Sequence, residues 1–154
     1  MKKMQRAYPD GFIEHAKSKI GSEEYRPLDE YNGRFACAIF VSSVLKDFGL
    51  IDGRHDKVQV VVHNLSLVKI VVEQKLFKWR KIDIKQIEPG DLIVYAKKKN
   101  SGSDHIAIYI GDGEAISNSW KSRTPIKHTV DSPTLGIMKR KRQITYVFAL
   151  LQEG

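Results

Sequence analysis

Apolar residues recur every three or four positions through the N-terminal third of the chain and every second position through much of the rest, a pattern that predicts helices followed by strands. Phe12, Ile13, Ala16 and Ile20 share one helical face, so a short helix is expected over Phe12 to Ile20, with Asp10 as N-cap and Gly21 as stop. Ser22 to Arg34 carries Pro27, Asp29, Asn32 and Gly33 and reads as irregular. From Ala36 to Phe48 the positions Ile39, Phe40, Val44, Leu45 and Phe48 repeat at helical spacing, and Gly49 stands where a C-terminal cap belongs. The stretch Lys57 to Phe77 mixes signals: Val58, Val60, Val61 and Val62 suggest a strand, whereas Leu67, Ile70, Val71 and Gln74 suggest a helix over Ser66 to Phe77.

Beyond Trp79 the pattern shortens into extended segments separated by turn residues. Glu88-Pro89-Gly90-Asp91 is a turn and Leu92 to Ala96 a strand. Lys97 to Ser103 is a polar loop. His105 to Ile110 and Glu114 to Asn118 form a hairpin about Gly111-Asp112-Gly113, residues that tolerate positive φ. Pro125 to Val130 and Ile144 to Leu151 complete the strands, with the basic run Lys139 to Arg142 between them. Helices first and strands later define an α+β class in which N-terminal helices pack on a C-terminal antiparallel sheet.

Length and composition narrow the picture. With 154 residues, 42% of them hydrophobic, the chain forms one domain over 1–154 and is expected to be a monomer. No apolar run approaches the ~18 residues of a membrane span, and no apolar stretch follows the basic start. A cytoplasmic location is therefore expected for the chain as written, and the cell envelope if it is exported or trimmed. The net charge of +8 favours anionic partners, of which nucleic acid, anionic lipid and anionic cell-wall polymer are examples. A single cysteine excludes an intrachain disulfide and a multi-thiolate zinc site. His105, Asp104 and His128 lack the close spacing of a metal site, so neither a metal nor another cofactor is expected.

The lone cysteine changes the functional picture. Cys37 falls in the first turn of the second expected helix, where unpaired N–H groups and the positive end of the dipole favour thiolate. Among His15, His55, His63, His105 and His128, only His105 begins an apolar strand directly after a polar loop, with Ile106, Ile108 and Ile110 on the alternate face. It is the expected base. The residue orienting its ring is sought at the end of the next hairpin strand: Asn118 is favoured because an amide oxygen accepts strongly, with Ser117 and His128 as rivals.

Three segments carry a resemblance: Phe35-Ala36-Cys37-Ala38-Ile39-Phe40-Val41, Glu88-Pro89-Gly90-Asp91-Leu92-Ile93-Val94-Tyr95, and His105-Ile106-Ala107-Ile108-Tyr109-Ile110-Gly111-Asp112-Gly113. In order and spacing they resemble the NlpC/P60 cysteine peptidases, papain-like cell-wall hydrolases to which CHAP amidases are close relatives. The chain has Ala36 and Ala38 where family members usually have Asp before the cysteine and Ser after it. The resemblance implies a papain-like α+β fold, a thiolate that attacks an amide carbonyl, and peptidoglycan stem peptides as substrate. By direct counting, the family's third catalytic residue falls on Ser117. Tyr31 or Tyr25 would line the site, and Trp120 and Trp79 would line a substrate groove. The superfamily's acyltransferases, intracellular peptidases and deamidases are the alternative activity. A further alternative is an inactive basic module that contacts nucleic acid through Lys97 to Lys99 and Lys139 to Arg142.

Overall fold

The computed structural model describes residues 5–25, 36–96, 104–118, 124–131 and 143–153. Its helices are α1 (Phe12–Ser18), α2 (Ala36–Asp47) and α3 (Val58–Leu65). Its strands are β1 (Ile70–Val72), β2 (Lys75–Ile82), β3 (Leu92–Tyr95), β4 (His105–Gly111), β5 (Glu114–Asn118), β6 (Pro125–Thr129) and β7 (Ile144–Gln152). They form one seven-stranded sheet in the order β1-β2-β7-β3-β4-β5-β6, antiparallel at every pairing. The α+β expectation and the helices-then-sheet order hold.

Period-two alternation divides the sheet into two unlike faces. On the first, Leu92, Val94, Ile106, Ile108, Ile116, Phe148, Leu150, Phe77 and Trp79 join helical residues such as Phe12, Phe40, Val44 and Leu65 in the main core. The second carries a smaller cluster of Ile93, Tyr95, Ala107 and Ala115. α2 is the central helix: Ala36 through Leu45 are all buried, and the helix packs against β4 and β5. Gly49 closes it at φ +69°, the left-handed conformation that a helix stop needs.

Two local expectations are corrected. The residue before α1 is Gly11, with no side-chain cap, so Asp10 does not cap the helix. The mixed stretch resolves the opposite way from its propensities: the valine-rich segment is α3, and the segment expected to be helical contains β1 and the start of β2. Val58, Val61 and Leu65 lie at i, i+3 and i+7 and bury one helical face, which outweighs the strand preference of valine. Lys75–Ile82 instead buries Phe77 and Trp79 on alternate positions. The turn between β1 and β2 is made by Glu73 and Gln74, both at positive φ, so it carries no glycine or asparagine signal.

The turn before β3 is anchored by the N-terminal segment. Asp91, fully buried, accepts from Arg6 and from the Tyr8 hydroxyl, and its Oδ2 accepts the backbone N–H of Glu88 at 2.9 Å. Gly90 adopts φ +103°, and a Cβ there would lie 2.5 Å from the Tyr8 ring. Both glycine and aspartate of the Pro-Gly-Asp segment are thus needed for close packing at the entry to β3.

Candidate active site

The hairpin β4–β5 has the register Ile108↔Ile116 and Tyr109↔Ala115, with an irregularity before Gly111. Gly111, Asp112 and Gly113 all have positive φ, as the turn chemistry predicts. This register puts His105, Ala107 and Tyr109 on the second face together with Ala115 and Ser117. β6 adds His128, which pairs with Ala115. Three polar side chains therefore converge on one buried patch beside Ala107 and Ala115.

They form a continuous chain of hydrogen bonds. His105 Nε2 lies 2.8 Å from Ser117 Oγ, and the same oxygen lies 2.7 Å from His128 Nε2. His128 Nδ1 lies 2.8 Å from the carbonyl oxygen of Thr129. All three side chains are buried, with Ser117 wholly so. Burial pushes the His128 pKa below the ordinary histidine value, against a weaker upward pull from the Thr129 carbonyl, so this ring favours its neutral form. The ring of Tyr95, paired with His105 across β3 and β4, sits 5.6 Å from the imidazole and covers that side of it.

Asn118, favoured from the sequence as the orienting residue, is one position further along β5 and turns to the first face. It is fully buried, and its amide makes no hydrogen bond, so it does not hold His105. An error of one residue reverses the face, because side chains alternate along a strand. The register about Asp112, the residue parity and the tight packing of Ala107 and Ala115 together place Ser117 against the imidazole.

Cys37 occupies the first turn of α2 and is 6% exposed. No acidic residue stands in that turn to oppose the positive end of the helix. Ala36 and Ala38 beside it are buried, and their small size keeps the helix start close to the core.

Other candidates lie elsewhere. His15 bonds Asp47 at 2.9 Å and His55 bonds Asp52 at 3.1 Å, both near the surface. Tyr25 is buried edge-on against Phe40, with ring centroids 5.3 Å apart. Trp79 is a core residue, its indole N–H donating to the Leu50 carbonyl at 3.1 Å. Asp104 accepts from Gln59 at 3.3 Å. Tyr31, Trp120, Lys97 to Lys99 and Lys139 to Arg142 fall outside the described residues. Among the described residues no three His, Cys, Asp or Glu side chains are grouped to hold a metal ion, and no helix is long and apolar enough to cross a membrane.

Comparison with known proteins agrees with this architecture. The profile of the NlpC/P60 family matches residues 20–141. The structure of NlpC1 from Trichomonas vaginalis superposes with a TM-score of 0.56 at 18% identity, covering 96% of this chain and 46% of that one. An NlpC/P60 family protein from Bacillus cereus gives 0.52 at 19% identity, covering 94% and 40%. NlpC2 from Trichomonas vaginalis gives 0.52 at 16%, covering 94% and 48%. The chain spans less than half the length of each of these solved structures. No curated protein matches. With a papain-like α+β fold and a family profile spanning most of its length, the chain belongs to the NlpC/P60 family, a family of cysteine peptidases and related hydrolases.

Proposed function

We propose that this domain is a cysteine hydrolase that cleaves amide bonds in peptides of the peptidoglycan stem, with Cys37 as nucleophile, His105 as general base and acid, and Ser117 as the residue that orients the imidazole. The observation that carries the reading is the buried 2.8 Å bond between His105 and Ser117, on strands β4 and β5 that both pack against α2, the helix whose first turn holds Cys37.

In this mechanism the Cys37 S–H bond breaks and its proton moves to His105. The sulfur attacks the amide carbonyl, and the negative charge that develops on oxygen is met by backbone N–H groups of the first turn of α2. The C–N bond then breaks as His105 returns its proton to the leaving amine, which leaves a thioester. Water attacks that thioester while His105 takes its proton, and the acid product leaves with the thiol restored. The excess of basic residues draws an anionic polymer toward the domain.

The test is hydrolysis of purified peptidoglycan and of short stem peptides, followed by the appearance of new amino termini. The wild-type chain is expected to release them, Cys37→Ala to release none, and iodoacetamide to inactivate the wild type in proportion to Cys37 alkylation. Full hydrolysis by Cys37→Ala overturns the assignment of the nucleophile. Turnover of an acyl donor other than a peptide, with stem peptides left intact, overturns the substrate.

A further inference from the structure

His128 stands beyond the residues that a Cys-His-polar triad requires, yet it is joined to that triad by a hydrogen bond through a hydroxyl that has only one proton to give. We infer that His128 is a positioning residue: anchored by the Thr129 carbonyl, it sets the direction of every proton in the chain and thereby holds His105 in the tautomer with hydrogen on Nε2. This rests on the reading of His105 as the base.

The direction follows from the end of the chain. A carbonyl oxygen only accepts, so the 2.8 Å contact between His128 Nδ1 and Thr129 O requires hydrogen on Nδ1. In the neutral ring Nε2 is then a bare acceptor. Burial favours that neutral form. The Ser117 hydroxyl, 2.7 Å away, must donate its one proton to His128 Nε2. Its oxygen is left with lone pairs only, and the partner at 2.8 Å, His105 Nε2, must be the donor. The nitrogen of His105 that gains and loses a proton during turnover is consequently Nδ1. When the ring becomes imidazolium, the Ser117 oxygen, polarised by His128, stabilises it.

Serine by itself would not do this. An isolated hydroxyl rotates and can either donate to a bare His105 Nε2 or accept from a protonated one; with an acceptor fixed on its far side it only accepts. Two hydrogen-bonded residues on neighbouring strands thus perform what a single strong acceptor would perform alone.

The test combines spectroscopy and kinetics on the full chain. In 15N-labelled Cys37→Ser protein, at a pH where both rings are neutral, long-range 1H–15N correlations are expected to show His128 protonated on Nδ1 and His105 on Nε2. In the wild-type background, His128→Phe is expected to lower kcat at least about tenfold with KM little changed. His128→Gln, whose amide offers both an acceptor and a donor, is expected to restore most of that loss. His128 protonated on Nε2, neutral His105 protonated on Nδ1, or an unchanged kcat in a folded His128→Phe chain each overturns the inference. If His128→Phe does not fold, the tautomers of the unmutated ring decide alone. A chain without hydrolase activity but with these tautomers sinks the functional reading and leaves this one standing, whereas reversed tautomers in an active enzyme do the opposite.

Discussion

The guanidinium of Arg6 meets the carboxylate of Asp91 side-on, Nε to Oδ1 and Nη2 to Oδ2, both at 2.8 Å. The Tyr8 hydroxyl adds a third bond to Oδ1 at 2.6 Å, and Arg6 also contacts Glu88. Burial first, and then the neighbouring Asp91 charge, push the Tyr8 pKa well above its ordinary value, so the phenol stays a donor. Removing one partner of a buried pair leaves the other uncompensated. Asp91→Ala is therefore expected to destabilise the fold by about 3 kcal/mol or more, measured by denaturant unfolding. A loss below about 1 kcal/mol would mean the pair is solvent-screened.

The glycine before it is predicted to be as constrained. At Gly90, φ is +103° and the space for a Cβ is already filled by the Tyr8 ring. Gly90→Ala should cost about 1–3 kcal/mol through backbone strain, with the steric clash added to it. Tyr8→Ala in the Gly90→Ala background removes the clash but not the strain. Thermal melts of the single and double variants separate the two contributions.

Ser117 and Asn118 make opposite predictions from adjacent positions. Ser117→Ala breaks both bonds of the hydroxyl and leaves two ring nitrogens buried without that partner, at a cost of about 1–3 kcal/mol each and a lower kcat. Asn118 has a buried amide with no hydrogen bond, so Asn118→Leu, of similar volume, should be neutral or stabilising by about 1 kcal/mol. A Tm that falls on Asn118→Leu would show that the amide is satisfied in solution.

Stability should depend on pH through His128. Its folded pKa lies below the unfolded value of about 6.5, so above that pH both states are neutral and the residue contributes no pH dependence. As pH drops below about 6.5 the unfolded chain takes up a proton that the folded chain refuses. Stability then falls until the folded pKa is passed, where the decline ends. His128→Gln removes this component, so the unfolding free energies of wild type and variant, compared from pH 8 downward, should diverge only on the acid side of about 6.5. Parallel curves count against a buried neutral His128.

Much of this molecule was legible in its residues. α2, with its repeat of Ile39, Phe40, Val44 and Leu45 closed by Gly49, follows the expected bounds to within a residue. β4 and β5, where Gly111-Asp112-Gly113 fixes the turn, do the same. In both cases the local signal and the demand of the core agree. The valine-rich α3 departs from the strand preference of its residues because Val58, Val61 and Leu65 bury one helical face, and the Glu73-Gln74 turn carries no local turn signal.

Cys37 at a helix start and His105 at a strand start were identified by short-range chemistry: a dipole end, an alternation, a glycine turn. Between Asn118, favoured for its amide, and Ser117, the rival on which direct counting against the family falls, local pattern does not choose, because they differ by one position and only the strand register turns one toward the imidazole and the other away. His128 was visible only as a rival, and its place beyond Ser117 comes from the pairing of β5 with β6. Sequence alone determined which elements form where the periodicity is strong, and which side chains are candidates for the chemistry. Tertiary structure decided which of them meet, since long-range pairing sets contacts and proton directions that no local pattern encodes.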